Sequence, residues 1–360
     1  IMALIKTNAR GQSSNLGRSG RRNLVINGAM KINQRDSGSL TINSGSLQYP
    51  CDRFAGRGVS SAGVFTLEKV TDSPAGFTNS LKATVTTADS SLSGSESYRI
   101  VQHIEGNNIS YLNWGSSDNQ TATLSFKVKS SLTGTFGGAV QNGDYNRFVP
   151  FSYTISNANT WEDITVTITG DTTGTYQTDA SLAVRLNWSL GAAQLGTAGT
   201  YSGSVKHGVT GQTQVISTNG ATWQVTGVQL ELGSVATDFE HRSYGEELSL
   251  CQRYYELIGF GNIALAESGS TYVHNLNYKV EKRAVPTISL FTTSNIRIRQ
   301  FGISDRDAAS PSPTSTAGSK NGGYVKVSGF NGIGGAATAA GIGYTTSSEA
   351  GNIFYISAEL

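Results

Sequence analysis

Charge is scarce in this chain of 360 residues. Asp, Glu, Lys and Arg make up 14% of it, against about 25% in an average globular domain. The formal net charge of +2 is too small to create a basic field, so charge gives no reason to expect a nucleic-acid partner. Apolar runs are also short. None reaches the roughly 18 residues that a membrane-spanning helix needs, and we expect no membrane insertion.

Cysteine and proline are rare, with two and six copies. Cys51 and Cys251 lie far apart in sequence, which leaves a disulfide open. Two lone thiols in a large chain are more often buried small hydrophobes, and we favour that interpretation. The four histidines have no second His or Cys at metal-ligand spacing, and no phosphate-binding glycine motif is present. The sequence therefore predicts no metal and no cofactor.

Glycine, serine, threonine and asparagine are abundant, and they separate short segments in which apolar and polar residues alternate. Such alternation indicates strands with one buried face. The clearest predicted strands are Val64–Val70, Leu81–Val85, Tyr98–Ile104, Leu124–Lys129, Asp163–Thr169, Leu182–Trp188 and Trp223–Leu230. Because so many strands are one-sided, we expect an all-β fold in which two antiparallel sheets pack face to face. This is a jelly-roll β-sandwich over residues 23–242.

A short helix and a smaller C-terminal β domain are predicted for residues 243–360. Tyr244–Tyr255 has acids in its first turn, which suits the helix dipole, and Leu248, Cys251 and Tyr255 would share one face. We interpret the proline-containing segment Ser304–Asn321 as a mobile loop. The predicted strands of this domain are Tyr278–Lys282, Thr287–Phe291, Ile296–Arg299, Tyr324–Val327 and Ile353–Leu360.

Residues 1–22 differ from the rest, because they are basic, lack acids and hold few apolar residues. Such a segment cannot bury enough surface to fold alone. It is either a disordered tail or, in an assembled particle, a basic arm that orders on a partner. The basic residues that would attach it are Lys6, Arg10, Arg18, Arg21 and Arg22.

Two kinds of side chain could act on saccharides. Paired carboxylates could hydrolyse a glycosidic bond, but loop acids usually form turns, so we expect no enzyme. Tryptophan faces could stack on sugars, but in strand patterns a large ring normally fills the core. The acids are Asp144, Asp163, Asp171 and Asp179, and the tryptophans are Trp114, Trp161, Trp188 and Trp223.

Several short segments together are similar to a widespread class of proteins. They are Asn23–Met30, Cys51–Phe54, Leu124–Phe126, Ser130–Thr135, Asn159–Trp161, Gly227–Gly233, Thr237–Gly245, Leu250–Tyr255 and Ala358–Leu360. With this set the chain resembles phage tail and tail-fibre proteins, most specifically in Thr237–Gly245 and the Leu250–Tyr255 segment. The resemblance implies a structural virion component of the phage tail, usually trimeric and assembled in the host cytoplasm.

On that resemblance, the arm would attach to other tail or baseplate proteins and the C-terminal domain would meet a host cell-surface polysaccharide. Tyr272, Phe330 and Tyr344 are the candidates for glycan contact, because they are aromatic residues in glycine-rich or loop-like segments. Core packing is an equally fair account of each. Two alternatives remain open: a tailspike depolymerase that cleaves the polysaccharide, and a purely structural adaptor or decoration protein.

More distantly, the opening and closing strands resemble carbohydrate-binding modules of the jelly-roll type. In such modules an acidic residue soon after the Asn-Gly pair often helps to hold a structural calcium ion. Here Ala29, Met30 and Lys31 occupy that place. None of them offers a carboxylate, so this part of the resemblance does not lead us to expect calcium.

Overall fold

The computed structural model describes residues 22–60, 62–259, 263–268, 270–290, 296–300, 306–330, 340–345 and 354–360. Strands dominate the described chain. Up to Leu232 they are β1 (Leu40–Ile42), β2 (Gln48–Cys51), β3 (Phe54–Gly58), β4 (Val64–Val70), β5 (Ser80–Thr87), β6 (Ser97–Glu105), β7 (Ala122–Ser130), β8 (Gly134–Asn142), β9 (Phe148–Ile155), β10 (Glu162–Ile168), β11 (Leu182–Ala192), β12 (Leu195–Gly196), β13 (Gly208–Val209) and β14 (Thr222–Leu232).

Most of these strands form two six-stranded antiparallel sheets. In the described residues the first sheet has the order β1-β4-β5-β14-β7-β10, and the second has the order β2-β3-β6-β11-β8-β9. Strand β7 shows why they pack together: Leu124, Phe126 and Val128 are buried, while Lys127 alternates outward. The two inner faces share one large apolar core that contains Trp188. The predicted antiparallel jelly-roll sandwich is confirmed.

Strand β6 lies inside the second sheet and is buried along its whole length. Tyr98 and Ile100 belong to the sandwich core, so alternation turns Arg99 and His103 toward the outer face of this sheet. Other segments of the chain cover that outer face in part. His103 Nδ1 lies 2.8 Å from the main-chain oxygen of Leu360, and the connection between β12 and β13 brings His207 against Arg99.

The turn after Asn27 lies against strand β14. Gly28 accepts a hydrogen bond of 2.9 Å from the Val228 main-chain nitrogen. A Cβ atom at Gly28 would lie 2.0 Å from the main-chain oxygen of Val228. The absence of a side chain is therefore what allows the opening segment to lie this close to the first sheet.

We expect Gly28→Ala to lower the free energy of unfolding by at least about 2 kcal/mol, because backbone must move to admit the methyl group. Gly245→Ala is the matched control, since a Cβ there meets nothing within 4 Å. Urea unfolding followed by circular dichroism measures both. Equal stability of the two variants would contradict the close approach at Gly28.

The described helices are short: α1 (Gly106–Ile109), α2 (Tyr244–Gln252), and 3₁₀ turns at Ser110–Leu112 and Val215–Ser217. In α2 the Ser243 side chain caps the first turn by accepting a hydrogen bond from the Glu246 main chain at 3.3 Å. The prediction that Tyr255 shares a helical face was wrong, because Tyr255 pairs as a strand residue with Ser357. Both cysteines are buried and free, as predicted.

The C-terminal part also consists of strands. They are β15 (Tyr255–Ile258), β16 (Ile263–Ser268), β17 (Thr271–Asn277), β18 (Thr287–Leu290), β19 (Ile296–Gln300), β20 (Arg306–Gly318), β21 (Gly322–Phe330), β22 (Ala340–Thr345) and β23 (Phe354–Ser357). Within the described ranges, β15-β23-β18 form one small sheet, and β16-β17-β21-β20-β19-β22 close into a barrel. One apolar cluster, which includes Ile258, Tyr272 and Phe354, spans both.

Two expectations for this part were wrong. The predicted loop Ser304–Asn321 contains the long strand β20, whose register with β21 shifts beside each of its two prolines. Proline is tolerated in a sheet at such irregularities, because no ladder hydrogen bond is lost there. The predicted strand Tyr278–Lys282 is irregular instead. Lys282 is fully buried in an ion pair with Glu256.

Candidate functional site

The aromatic residues that the sequence suggested for glycan contact do not form a surface site. Tyr272 and Phe330 are buried, and their rings meet edge to face with centroids 5.1 Å apart. This places both in the C-terminal core and favours the packing alternative. Tyr344 lies on β22 opposite Arg297.

Of the predicted attachment residues, Lys6, Arg10, Arg18 and Arg21 lie outside the described residues. Arg22 is exposed. Its main-chain nitrogen donates to Glu240 at 3.0 Å and its guanidinium donates to the main-chain oxygen of Asp238 at 3.2 Å. The described chain thus begins against the segment that follows β14.

The four loop acids each bind a different neighbour. Asp163 pairs with Lys127, Asp144 accepts from Gln177, Asp179 accepts from the Ser181 main chain, and Asp171 pairs with Arg147. At Asp171, burial opposes ionisation, but hydrogen bonds from Arg147 and its neighbours hold the pKa of the carboxyl below its ordinary value. A carboxylate held in this charged state is poorly suited to act as a general acid.

Two tryptophans lie in the strands and fill the core, as the sequence suggested, and a third is also mostly buried. Trp188 and Trp223 are fully buried, and Trp114 is nearly so. Trp161 differs: it is half-buried on the outer surface, with the Lys129 ammonium 5.3 Å from its ring centre. Trp188 and Trp223 therefore present no ring face to a sugar.

A different set of residues gathers on the outer face of the second sheet. Arg57 lies on β3, Arg99 on β6 and Arg185 on β11. Tyr145, from the turn between β8 and β9, and His207, from the connection between β12 and β13, cover them. We call these five residues the arginine face.

Strand register places two of the arginines directly opposite each other. Arg57 and Arg99 are paired across β3 and β6, and Cβ atoms of such pairs are about 5 Å apart. Like charges in this position destabilise a sheet. In the described part of the chain no carboxylate lies within ion-pair distance of Arg57, Arg99 or Arg185.

His207 is held in its neutral form. The Arg99 guanidinium donates to His207 Nδ1 at 3.0 Å, and a guanidinium can only donate, so Nδ1 must accept. His207 Nε2 then carries the proton and donates to the Tyr145 hydroxyl at 3.1 Å. Burial, and after it the charges of Arg99 and Arg57, lower the pKa of His207 far below its ordinary value. His207 therefore offers Arg99 no negative charge.

Arg99 is 3% exposed, which is unusual for a cation without a carboxylate partner. Burial lowers its pKa to about 10; Tyr145 opposes this shift, and the charge of Arg57 adds to it. Its Nε atom has no hydrogen-bond partner, and neither do the buried side-chain oxygens of Gln141 and Asn187 on the same face. Buried polar groups without hydrogen-bond partners cost folding free energy, so this face contains a buried cation and buried polar atoms whose partners are missing.

Tyr145 is the aromatic member of the face and is 40% exposed. It sits in a turn with a φ of 60°, a conformation that a non-glycine residue rarely adopts. Its ring lies edge to face on Phe148 at 5.1 Å, and the Arg185 guanidinium carbon lies 5.4 Å from its centre. The ring is therefore held in place beside the arginines with part of its surface open to solvent.

No protein-family model matches the chain. No curated protein matches it either.

Some solved structures are similar in fold at low identity. The enzymatically active domain of tailspike protein 4 from bacteriophage CBA120 is 14% identical over 59% of this chain and 21% of its own, with a TM-score of 0.31. A family 11 carbohydrate-binding module from Clostridium thermocellum, in complex with a β-1,3-1,4-mixed-linked tetrasaccharide, is 12% identical over 57% of this chain and 98% of its own, with a TM-score of 0.29.

An arabinose-bound α-L-arabinofuranosidase is 16% identical over 61% of this chain and 28% of its own, with a TM-score of 0.32. The matched region thus spans about a fifth of the tailspike domain's length. At TM-scores near 0.3, these likenesses identify neither a ligand nor an activity for this chain.

Other kinds of site are not seen in the described ranges. No group of three or more His, Cys, Asp or Glu side chains is close enough together to hold a metal ion there. Among the helices that the structure describes, none is both long and apolar enough to cross a membrane. A shallow cavity of about 220 Å³ lies between the 3₁₀ turn at Ser110 and the segment around Tyr176, but it holds no charged side chain.

Sequence reasoning missed the arginine face. Each arginine occupies an outward position in its strand, which alone predicts a solvated side chain. The missing information is long-range: pairing of β3 with β6 sets Arg57 opposite Arg99, whereas Arg185 lies opposite His103 and approaches the set through the Tyr145 ring. No local motif encodes that pairing.

Proposed function

We propose that this chain is a structural subunit of a phage tail fibre and that it binds a glycan on the host surface. The observation that supports binding is the open ring of Tyr145, fixed in a strained turn beside polar side chains on a rigid sheet. Small-molecule sites combine apolar or aromatic surface with a few placed polar groups, and the arginine face has this composition. The glycan site would then lie on the sandwich and not in the C-terminal domain.

The assembly around this site belongs to the same proposal. Residues 1–22 would attach the subunit to other tail or baseplate proteins, and the subunits would form a trimer in the virion. Three copies of a weak saccharide site gain affinity when they meet one polysaccharide, because linked sites raise the effective concentration. The resemblance in Thr237–Gly245 and Leu250–Tyr255 supports a tail protein, and the sandwich supplies a stiff scaffold.

The test is a glycan array probed with the purified full chain, together with its mass in solution. We expect retention on a subset of glycans, and Tyr145→Ala should weaken it about tenfold, the loss of about 1.4 kcal/mol of ring contact. Tyr244→Ala is the matched control, because Tyr244 is 60% exposed at the start of α2. A chain that retains no glycan would overturn the binding role, and release of reducing sugar would replace it with depolymerisation.

A further inference from the structure

The arginine face has more positive charge than its surroundings balance. Arg57 and Arg99 oppose each other across two strands. Arg185, on β11, lies beside the Tyr145 ring and donates only to the main-chain oxygens of Asn142 and Gly143. The charge of Asp144 acts on Arg185. Asp144 is exposed, however, and accepts a hydrogen bond from Gln177. The protein thus holds three guanidiniums together without a carboxylate of its own between them.

Arg99 shows that this arrangement is not an ordinary solvated surface. Its side chain is almost fully buried, yet Nε has no partner. The guanidinium is hydrogen-bonded to the neutral ring of His207 and to the Tyr145 hydroxyl, neither of which carries a negative charge. Burying a cation without a counter-charge costs free energy. Charged groups perturbed by burial concentrate at functional sites, where an outside group can supply the missing charge.

We infer that the arginine face binds the anionic group of an acidic saccharide, a carboxylate or a phosphate, with the sugar ring against Tyr145. Guanidiniums suit this role because their planar donor pairs match the two oxygens of such a group. The inference rests on the proposed glycan-binding function and specifies its ligand class. Nucleic acid fits less well, since its affinity grows with the number of phosphates that basic side chains neutralise, and this cluster offers three guanidiniums.

Two kinds of saccharide carry the required negative charge, and a neutral saccharide of the same shape is the comparison. The probes are a hexamer of galacturonic acid, the same hexamer with every carboxyl methyl-esterified, and a hexose oligomer bearing phosphodiesters. Inorganic phosphate and a twelve-nucleotide single-stranded DNA complete the set. Titration calorimetry with the full chain measures the dissociation constants at low and at moderate salt.

We expect the acid or the phosphodiester form to bind at least tenfold more tightly than the methyl ester, and this ratio to fall with salt. Arg57→Gln combined with Arg185→Gln should reduce the ratio to about one. Both residues reach solvent, so the variant is expected to fold. Lys127→Gln is the control, because it removes one positive charge from the outer face of the other sheet.

The possible results distinguish a failure of the preference for negative charge from a failure of glycan binding itself. Equal binding of acid and ester, with loss in Tyr145→Ala, overturns the charge inference and leaves glycan binding in place. Tightest binding of the DNA, or unchanged acid preference in the double arginine variant, also overturns it. If no saccharide, acidic or neutral, binds in the titrations or on the array, both the charge inference and the glycan-binding function are overturned. Preference for the phosphodiester over the uronic acid supports the inference and identifies phosphate as the group.

Discussion

Lowering the pH from 7 to 5 should destabilise this protein by several kcal/mol, because three histidines are buried in their neutral form. Burial, and after it the charges of Arg185 and Arg53, lower the pKa of His103 to about 3. Burial alone lowers that of His274 to about 4. His207, beside Arg99, is shifted in the same direction.

The sign follows from proton uptake in the unfolded chain. Between the unfolded pKa of 6.5 and the lowered folded values, the unfolded state binds protons that the folded state does not. Acid therefore favours unfolding throughout this window, by about 2 kcal/mol for each histidine at pH 5. Carboxyl groups with lowered pKa values, such as Glu105 and Asp171, lose their stabilisation only nearer pH 4 and below.

Urea unfolding at pH 7, 6 and 5 measures this dependence. His274→Leu should remove about one third of it, because both ring nitrogens of His274 lack partners and the ring packs against Phe354 at 5.2 Å. At pH 7 the same variant should be no less stable, since a buried unpaired polar group is replaced by an apolar one. Val235→Ala, at a position that is 72% exposed, is the control and should leave the slope unchanged, because it removes no titratable group. An unaltered slope in His274→Leu would contradict the neutral buried histidine.

The sandwich was predictable where one-sided alternation was strong. The predicted bounds of β4 agree with the structure, and β7 differs only at its ends. Strands β8 and β9 were missed, because glycines at the start of β8 and Pro150 within β9 hide the alternation that their packing produces. Local pattern therefore predicts a strand when alternation is uninterrupted, and fails where glycine or proline breaks it, even though β8 and β9 supply core residues such as Phe136 and Phe151.

The candidate functional residues show the same limit of local sequence patterns. Tyr272 and Phe330 looked like loop aromatics because glycines surround them, but pairing of β17 with β21 buries both. Arg57 and Arg99 looked like ordinary outward residues, and their register makes them a charged pair. Long-range pairing decided each case, and a single sequence contains no direct record of that pairing.

A second large effect on stability is expected at Glu359, near the end of the described chain. Glu359 accepts hydrogen bonds from Arg53 and from Arg35, the latter at 2.8 Å. Arg53 is 1% exposed and stacks on the Tyr254 ring with its guanidinium carbon 3.5 Å from the ring centre. Glu359 is thus the carboxylate that balances a cation buried between the sandwich and the C-terminal part.

Glu359→Ala should lower the free energy of unfolding by about 3 to 5 kcal/mol, because it leaves Arg53 buried without a counter-charge. Asp163→Ala also removes one acid from an ion pair, but Asp163 is 77% exposed, and its loss should cost less than about 1 kcal/mol. Urea unfolding at pH 7 compares the two. Similar losses would mean that Arg53 does not depend on Glu359. The predicted difference means that Glu359 anchors the closing residues Ala358–Leu360 and links the C-terminal part to the sandwich.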